Sequence, residues 1–232
     1  MNDSVTKKVK WFLILFLIGI VLVNFYSWLF ETRFEGDIAS RMLLALGPQF
    51  GLGNPYKDLW EIIPPGYIMI FQVWSVLFGS NILFFKFLHL LVISLCAIFL
   101  FLILQKYFRP LIFFIVLIFS SVVLYSPAIQ SLYLSSEIFG VLFSLAALYC
   151  LLYLKNSFWK VGFATTLFFI AGQMKDPFLF GIAAVAPIFG WEFFTHSSLK
   201  FKIKLFLSGV LGGVIPAVGF FVYLFSMGSV RS

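Results

Sequence analysis

Nine Asp and Glu side chains are spread over 232 residues, and four of them, Glu35, Asp37, Asp58 and Glu61, fall between Phe34 and Gly66. Asp37 follows Gly36 and opens an amphipathic stretch, Asp37–Leu46. Ile38, Met42 and Ala45 share one face there, and Arg41 stands four residues after Asp37. A carboxylate at a helix start accepts hydrogen bonds from unpaired backbone N–H groups and so stays ionised and oriented. It serves either as a plain N-cap or as chemistry: a general base toward a hydroxyl or amine, or a metal ligand. Glu61 stands three residues before Pro64-Pro65. It reads as a ligand for a metal or a substrate hydroxyl, or as a solvated loop carboxylate. Asp58 and Glu35 read as loop solvation, Arg41 as a partner for Asp37, and Arg33 as an anchor to lipid phosphate.

Further along, Glu137 follows Ser135-Ser136 and begins an apolar run. An ionisable group at such a depth is costly, so it calls for a function or a partner; helix capping is the plainer alternative. Lys175 lies in Lys175-Asp176-Pro177 between two short apolar runs. Its ammonium suits a lipid or substrate phosphate, or a local pair with Asp176. Lys86 and His89 stand near the start of another run. Lys86 has the reach to snorkel outward, and His89 reads as an interior histidine with no HxxxH or cysteine partner to suggest zinc. Cys96 and Cys150 both lie inside apolar runs and read as core filler. Gly209, Gly212 and Gly213 in the last run read as close helix packing rather than phosphate cradling.

The elements that position these groups are membrane spans. The chain is 62% hydrophobic and 11% charged, which no soluble domain of this size can bury. Its apolar runs are continuous rather than alternating, so the reading is an all-α polytopic membrane protein and not a β-barrel. The net charge of +7 sits in short loops between the runs, which is topology and not nucleic-acid binding. Trp11–Phe30 supplies about twenty apolar residues, enough for about 30 Å of hydrocarbon. Lys7, Lys8 and Lys10 precede it and put its start in the cytoplasm; it reads as a retained helix, since no small-residue cleavage site follows. The loop from Glu31 is then extracytoplasmic. Tyr67–Gly79 is short, and charge decides its course. If it does not cross, Lys106, Arg109, Lys155, Lys160, Lys200, Lys202 and Lys204 all fall inside. Pro64–Gly79 is therefore expected to lie along the outer interface or to dip in without spanning. Further spans are expected at Ile82–Leu104, Leu111–Tyr125, Glu137–Leu154, Val161–Met174, Pro177–Phe194 and Leu205–Phe225, about seven in all with the first. One integral domain, 1–232, is the simplest division.

Several short patterns occur in a shared order: Gly36-Asp37, Gly53-Asn54-Pro55-Tyr56-Lys57-Asp58, Glu61 with Pro64-Pro65, Leu77-Phe78-Gly79, Ser136-Glu137, and Met174-Lys175-Asp176-Pro177. Together they resemble the GT-C membrane glycosyltransferases, especially the protein mannosyltransferase and aminoarabinose transferase branch. The resemblance runs over essentially the whole chain. It implies a seven-helix module with interfacial helices in the first outer loop (31–81), in a bacterial plasma membrane. It also implies a polyprenyl-phosphate-linked sugar as donor and a lipid, glycan or protein as acceptor. Asp37 would be the catalytic base, and inversion at the sugar carbon would follow from direct displacement of the lipid phosphate. Glu61, Glu137, Lys175, Arg41 and Lys86 would bind substrate. Candidates to hold a divalent metal ion are Asp37 and Glu61, and Glu61 and Glu137 would orient either that ion or the acceptor. The family often has Lys directly before Pro-Pro, where this chain has Ile63. Its members also continue with more spans, so the chain reads as an N-terminal module, or as one completed by a partner. One alternative is a different enzyme class, a lipid-modifying transferase or ligase that handles polyprenyl-linked glycans; the non-enzyme alternative is a non-catalytic scaffold, or a transporter or flippase for lipid-linked glycans. Transport calls for ionisable groups near mid-membrane, and nearly all charges here stand at the ends of apolar runs.

Overall fold

The computed structural model describes residues 42–51, 53, 64–107 and 135–226, and every regular element among them is helical. A short helical stretch at 42–46 runs into a three-ten turn, Gly47–Phe50, closed by Gly51 at φ 71°. Six α-helices follow: α1 Pro65–Phe78, α2 Ile82–Tyr107, α3 Ser136–Tyr153, α4 Ser157–Met174, α5 Val185–Thr195 and α6 Leu199–Ser226. A second three-ten segment, Asp176–Ala184, joins α4 to α5.

Local chemistry sets the boundaries. Pro65 opens α1, where a missing N–H and a fixed φ suit the first turn. Gly79, at φ 84°, lets the chain leave α1 in a conformation that side chains disfavour. The Asn81 side chain then accepts from the Leu83 N–H at 2.9 Å and starts α2. Asn156 does the same for α4, accepting from the Phe158 N–H at 3.0 Å. After α4 the backbone is extended at Lys175 (φ −158°, ψ 130°), and Pro177 prevents the helix from continuing.

Packing fixes the direction of each helix. Lys106 near the end of α2 donates to the Leu152 carbonyl near the end of α3 at 2.8 Å, and Tyr153 of α3 donates to the Leu102 carbonyl. Helices α2 and α3 are therefore parallel. The three-residue link 154–156 turns α4 back against α3. Helix α6 runs parallel to α4, with Ser208 bonded to the Phe158 carbonyl and Gly212 against Gly162 and Thr165. One apolar cluster joins Tyr67, Ile68 and Phe71 of α1 to Phe85, Val92 and Cys96 of α2, Phe139 of α3 and Met174 of α4. A second, toward the opposite end, joins Ala147, Leu151, Val161, Ala164, Phe168, Val185 and Leu205.

Four stretches are long and apolar enough to cross a membrane: Ile82–Tyr107, Ser136–Tyr153, Asp176–Thr195 and Leu199–Ser226. The chain is thus all-helical over the described residues, with the character of an integral membrane protein. Phe180 and Phe194, each 82% exposed, point outward from it, as hydrocarbon favours and water does not. The expected span 161–174 corresponds to α4, which is long enough but less apolar, carrying Lys160, Thr165, Thr166 and Gln173. It packs between α3, α6 and the three-ten segment, so protein rather than lipid surrounds much of it. The expected span from Pro177 is not one α-helix. It is nine residues of three-ten followed by eleven of α-helix. Helix α1 has fourteen residues, roughly 21 Å, too short to cross. The expected spans at 11–30 and 111–125 lie outside the described residues.

Candidate functional site

The beginnings of α2 and α3, the end of α4 and the end of α6 lie together at one end of the bundle. There the Lys175 ammonium forms an ion pair with Glu137 Oε1, and Ser136 Oγ lies 3.2 Å from the other carboxylate oxygen. Glu137 stands in the first turn of α3, where the helix dipole favours a negative charge. The extended Lys175 backbone carries its side chain across to α3. The structure thus brings together two of the residues singled out in the sequence, 38 positions apart. Asp176 is not the partner of Lys175 that sequence proximity offered; it opens the three-ten segment instead. Both side chains of the pair are about half exposed, 46% for Lys175 and 42% for Glu137. A pair of that kind contributes at most about 1 kcal/mol, so its members can exchange partners at small cost.

Beside this pair lies an apolar groove of about 420 Å³, walled by α1, α3, α4 and α6. Met69, Ile70 and Val73 form one side, Pro216 and Phe220 another, and Phe143 lies on α3. Met174 also lines it, and Lys175 is the next residue in the chain. Pro216 lies within α6 and removes one backbone N–H from the helix ladder where α6 borders the groove.

A polar knot fastens the same end. Gln72 Nε2 donates to the Ala45 carbonyl at 3.0 Å, and Tyr223 donates its hydroxyl to Gln72 Oε1 at 2.8 Å. Gln49 Nε2 donates to Ser75 Oγ at 2.7 Å, and Ser75 donates to the Gln72 carbonyl at 2.8 Å. Gln72 therefore ties the 42–50 stretch, α1 and α6 to one another. Sequence reasoning passed over it, although an amide inside an apolar run was itself a signal that a polar partner waits across the bundle.

Lys86 is half-buried near the start of α2, and both it and His89 are engaged by neighbours. Asp37, Arg41 and Glu61 lie outside the described residues. Among the described residues no three His, Cys, Asp or Glu side chains gather into a metal-holding group. Comparison with known protein families, with curated protein sequences and with solved structures finds no match.

Proposed function

We propose that this chain is a membrane glycosyltransferase of GT-C type, moving a sugar from a polyprenyl-phosphate donor to an acceptor on the extracytoplasmic side of a bacterial plasma membrane. The observation that carries the reading is the adjacency of an exchangeable cation and an apolar groove: half-exposed Lys175 directly follows Met174, which lines the groove. A donor made of an isoprenoid chain and a phosphate calls for both. In the proposed reaction Asp37 takes the proton from the acceptor as its nucleophilic atom attacks the sugar's anomeric carbon. The bond from that carbon to the phosphate oxygen breaks, the lipid phosphate leaves, and the configuration inverts. A phosphate leaving group needs positive charge rather than a proton, which is the part assigned to Lys175, and the resemblance adds Lys86 as a second substrate-binding cation. Glu61, Glu137 and Arg41 orient the acceptor.

One observation favours a second reading, a non-catalytic scaffold or carrier for lipid-linked glycans. Lys175 is already neutralised by Glu137, as a purely structural tie would be. Purified protein incubated with membrane-derived lipid-linked sugars, with products followed by mass spectrometry, separates the two. Transfer by the wild type, with loss in Asp37→Asn and in Lys175→Gln at equal protein level, supports the enzyme. Full transfer by Asp37→Asn removes its role as base. Sugar lipid that binds but is never consumed favours the scaffold.

A further inference from the structure

At the opposite end of the bundle the helix ends carry Lys106, Lys155, Lys160, Lys200, Lys202 and Lys204. Two of these are occupied locally. Lys106 donates to the Leu152 carbonyl and lies 4.7 Å from the centre of the Tyr153 ring, and Lys202 lies 5.1 Å from that of Phe193. No described side chain pairs with Lys155, Lys160, Lys200 or Lys204, and among these Lys155 stands at a cavity. It lies in the link between α3 and α4 and lines a cavity of about 360 Å³ with Leu154, Asn156, Trp159 and Phe163.

The chemistry of that lining is two-sided. Its polar rim holds the Lys155 ammonium and the Asn156 side chain. The Asn156 oxygen is taken by the Phe158 N–H, so its amide NH₂ remains as a donor. The other wall is a pair of stacked rings, Trp159 and Phe163, 5.3 Å apart at 20°, exposed by 52% and 47%. They follow one another on α4 from the polar link toward the bundle's middle, about 6 Å of helix. An anion alone needs no such wall, and a hydrocarbon alone needs no such rim. A tryptophan beside a lysine at a helix end is also where a bilayer's headgroup region meets its acyl chains.

We propose that this cavity is a binding site for an anionic phospholipid, with the phosphate on Lys155 and Asn156 and the first acyl segment along Trp159 and Phe163. It is separate from the groove at the other end and does not depend on the sugar-transfer reading.

The test uses the full chain reconstituted in phosphatidylcholine vesicles with and without phosphatidylglycerol, with lipids retained after extraction counted by native mass spectrometry. Wild type is expected to retain phosphatidylglycerol in preference to phosphatidylcholine. Lys155→Gln should weaken that retention by about tenfold or more, the effect of losing one hydrogen bond between charged groups, and Lys155→Arg should restore it. Lys204→Gln, which removes the same charge from the same end, should leave it unchanged. Equal retention of both lipids, or equal loss in Lys204→Gln, overturns the site in favour of diffuse attraction. Displacement of the lipid by glycerol phosphate at matching concentration overturns it in favour of a soluble phosphate.

Discussion

An ammonium held by a carboxylate binds phosphate only by giving that carboxylate up. Glu137 therefore sets how readily Lys175 engages an anion, and the two variants should part company. Lys175→Gln is expected to abolish donor binding. Glu137→Gln leaves the ammonium without its partner and should tighten binding of a lipid phosphate, measured with a fluorescent polyprenyl phosphate in detergent. Equal losses in both would make the pair a structural tie. Stability should move by less than about 1 kcal/mol in either case, read from thermal unfolding, because both groups are half exposed. Each member was legible in the sequence for its own reason: Glu137 as a charge opening an apolar run, and Lys175 as a cation beside a proline. Their meeting was not. No spacing rule connects positions that far apart, and the nearer Asp176 was the plainer partner on paper. For Asp37, Arg41 and Glu61 only the sequence reading stands.

Helices approach closely at several glycines, among them Gly66, Gly162 and Gly212, and two neighbours on α6 differ sharply. A methyl group on Gly212 would stand 2.5 Å from the Gly162 carbonyl oxygen and 3.1 Å from Thr165 Cβ. The same group on Gly213 would come no nearer than 3.9 Å to Thr165 Cγ2. Gly212→Ala is therefore expected to destabilise the protein by about 1–3 kcal/mol, and Gly213→Ala to be neutral or slightly stabilising, in thermal unfolding of the detergent-solubilised chain. The sequence marked the glycines as packing residues but could not rank them, since rank depends on which face of α6 meets α4. Gln72 gives a second contrast. Gln72→Leu strands the Tyr223 hydroxyl and the Ala45 carbonyl, so amide hydrogen exchange at 42–50 should speed up while exchange in α3 holds. Unchanged exchange at 42–50 would mean that apolar contacts alone hold that stretch. The division of 176–195 into three-ten and α segments had no sequence signal either, because an unbroken apolar run shows no helical period to tell one from the other.

Across the whole molecule, lysine among the described residues is unevenly divided between the two ends, with Lys86 and Lys175 at one and Lys106, Lys155, Lys160, Lys200, Lys202 and Lys204 at the other. By the positive-inside rule the Lys175 end is expected outside. Single cysteines introduced as Ser80→Cys and Ser198→Cys, in a chain carrying Cys96→Ala and Cys150→Ala, check this directly. A membrane-impermeant maleimide on intact cells should label Ser80→Cys and spare Ser198→Cys; the reverse pattern would invert the expected orientation and overturn the proposed extracytoplasmic site. Fold class and charge sorting were readable from composition and loop lysines because the bilayer imposes both on any spanning chain. The groove was not readable, since it arises where α1, too short to cross, stands beside a proline-bearing α6.

The nine residues from Asp176 to Ala184 advance about 2.0 Å each as three-ten helix, against about 1.5 Å in an α-helix. Rewinding all of them would shorten the segment by about 4.5 Å. With α5 held at the far end, Lys175 would be drawn that distance down into the bundle and parted from Glu137. The pitch of that short coil thus helps to set how high Lys175 stands, and with it the reach to Glu137.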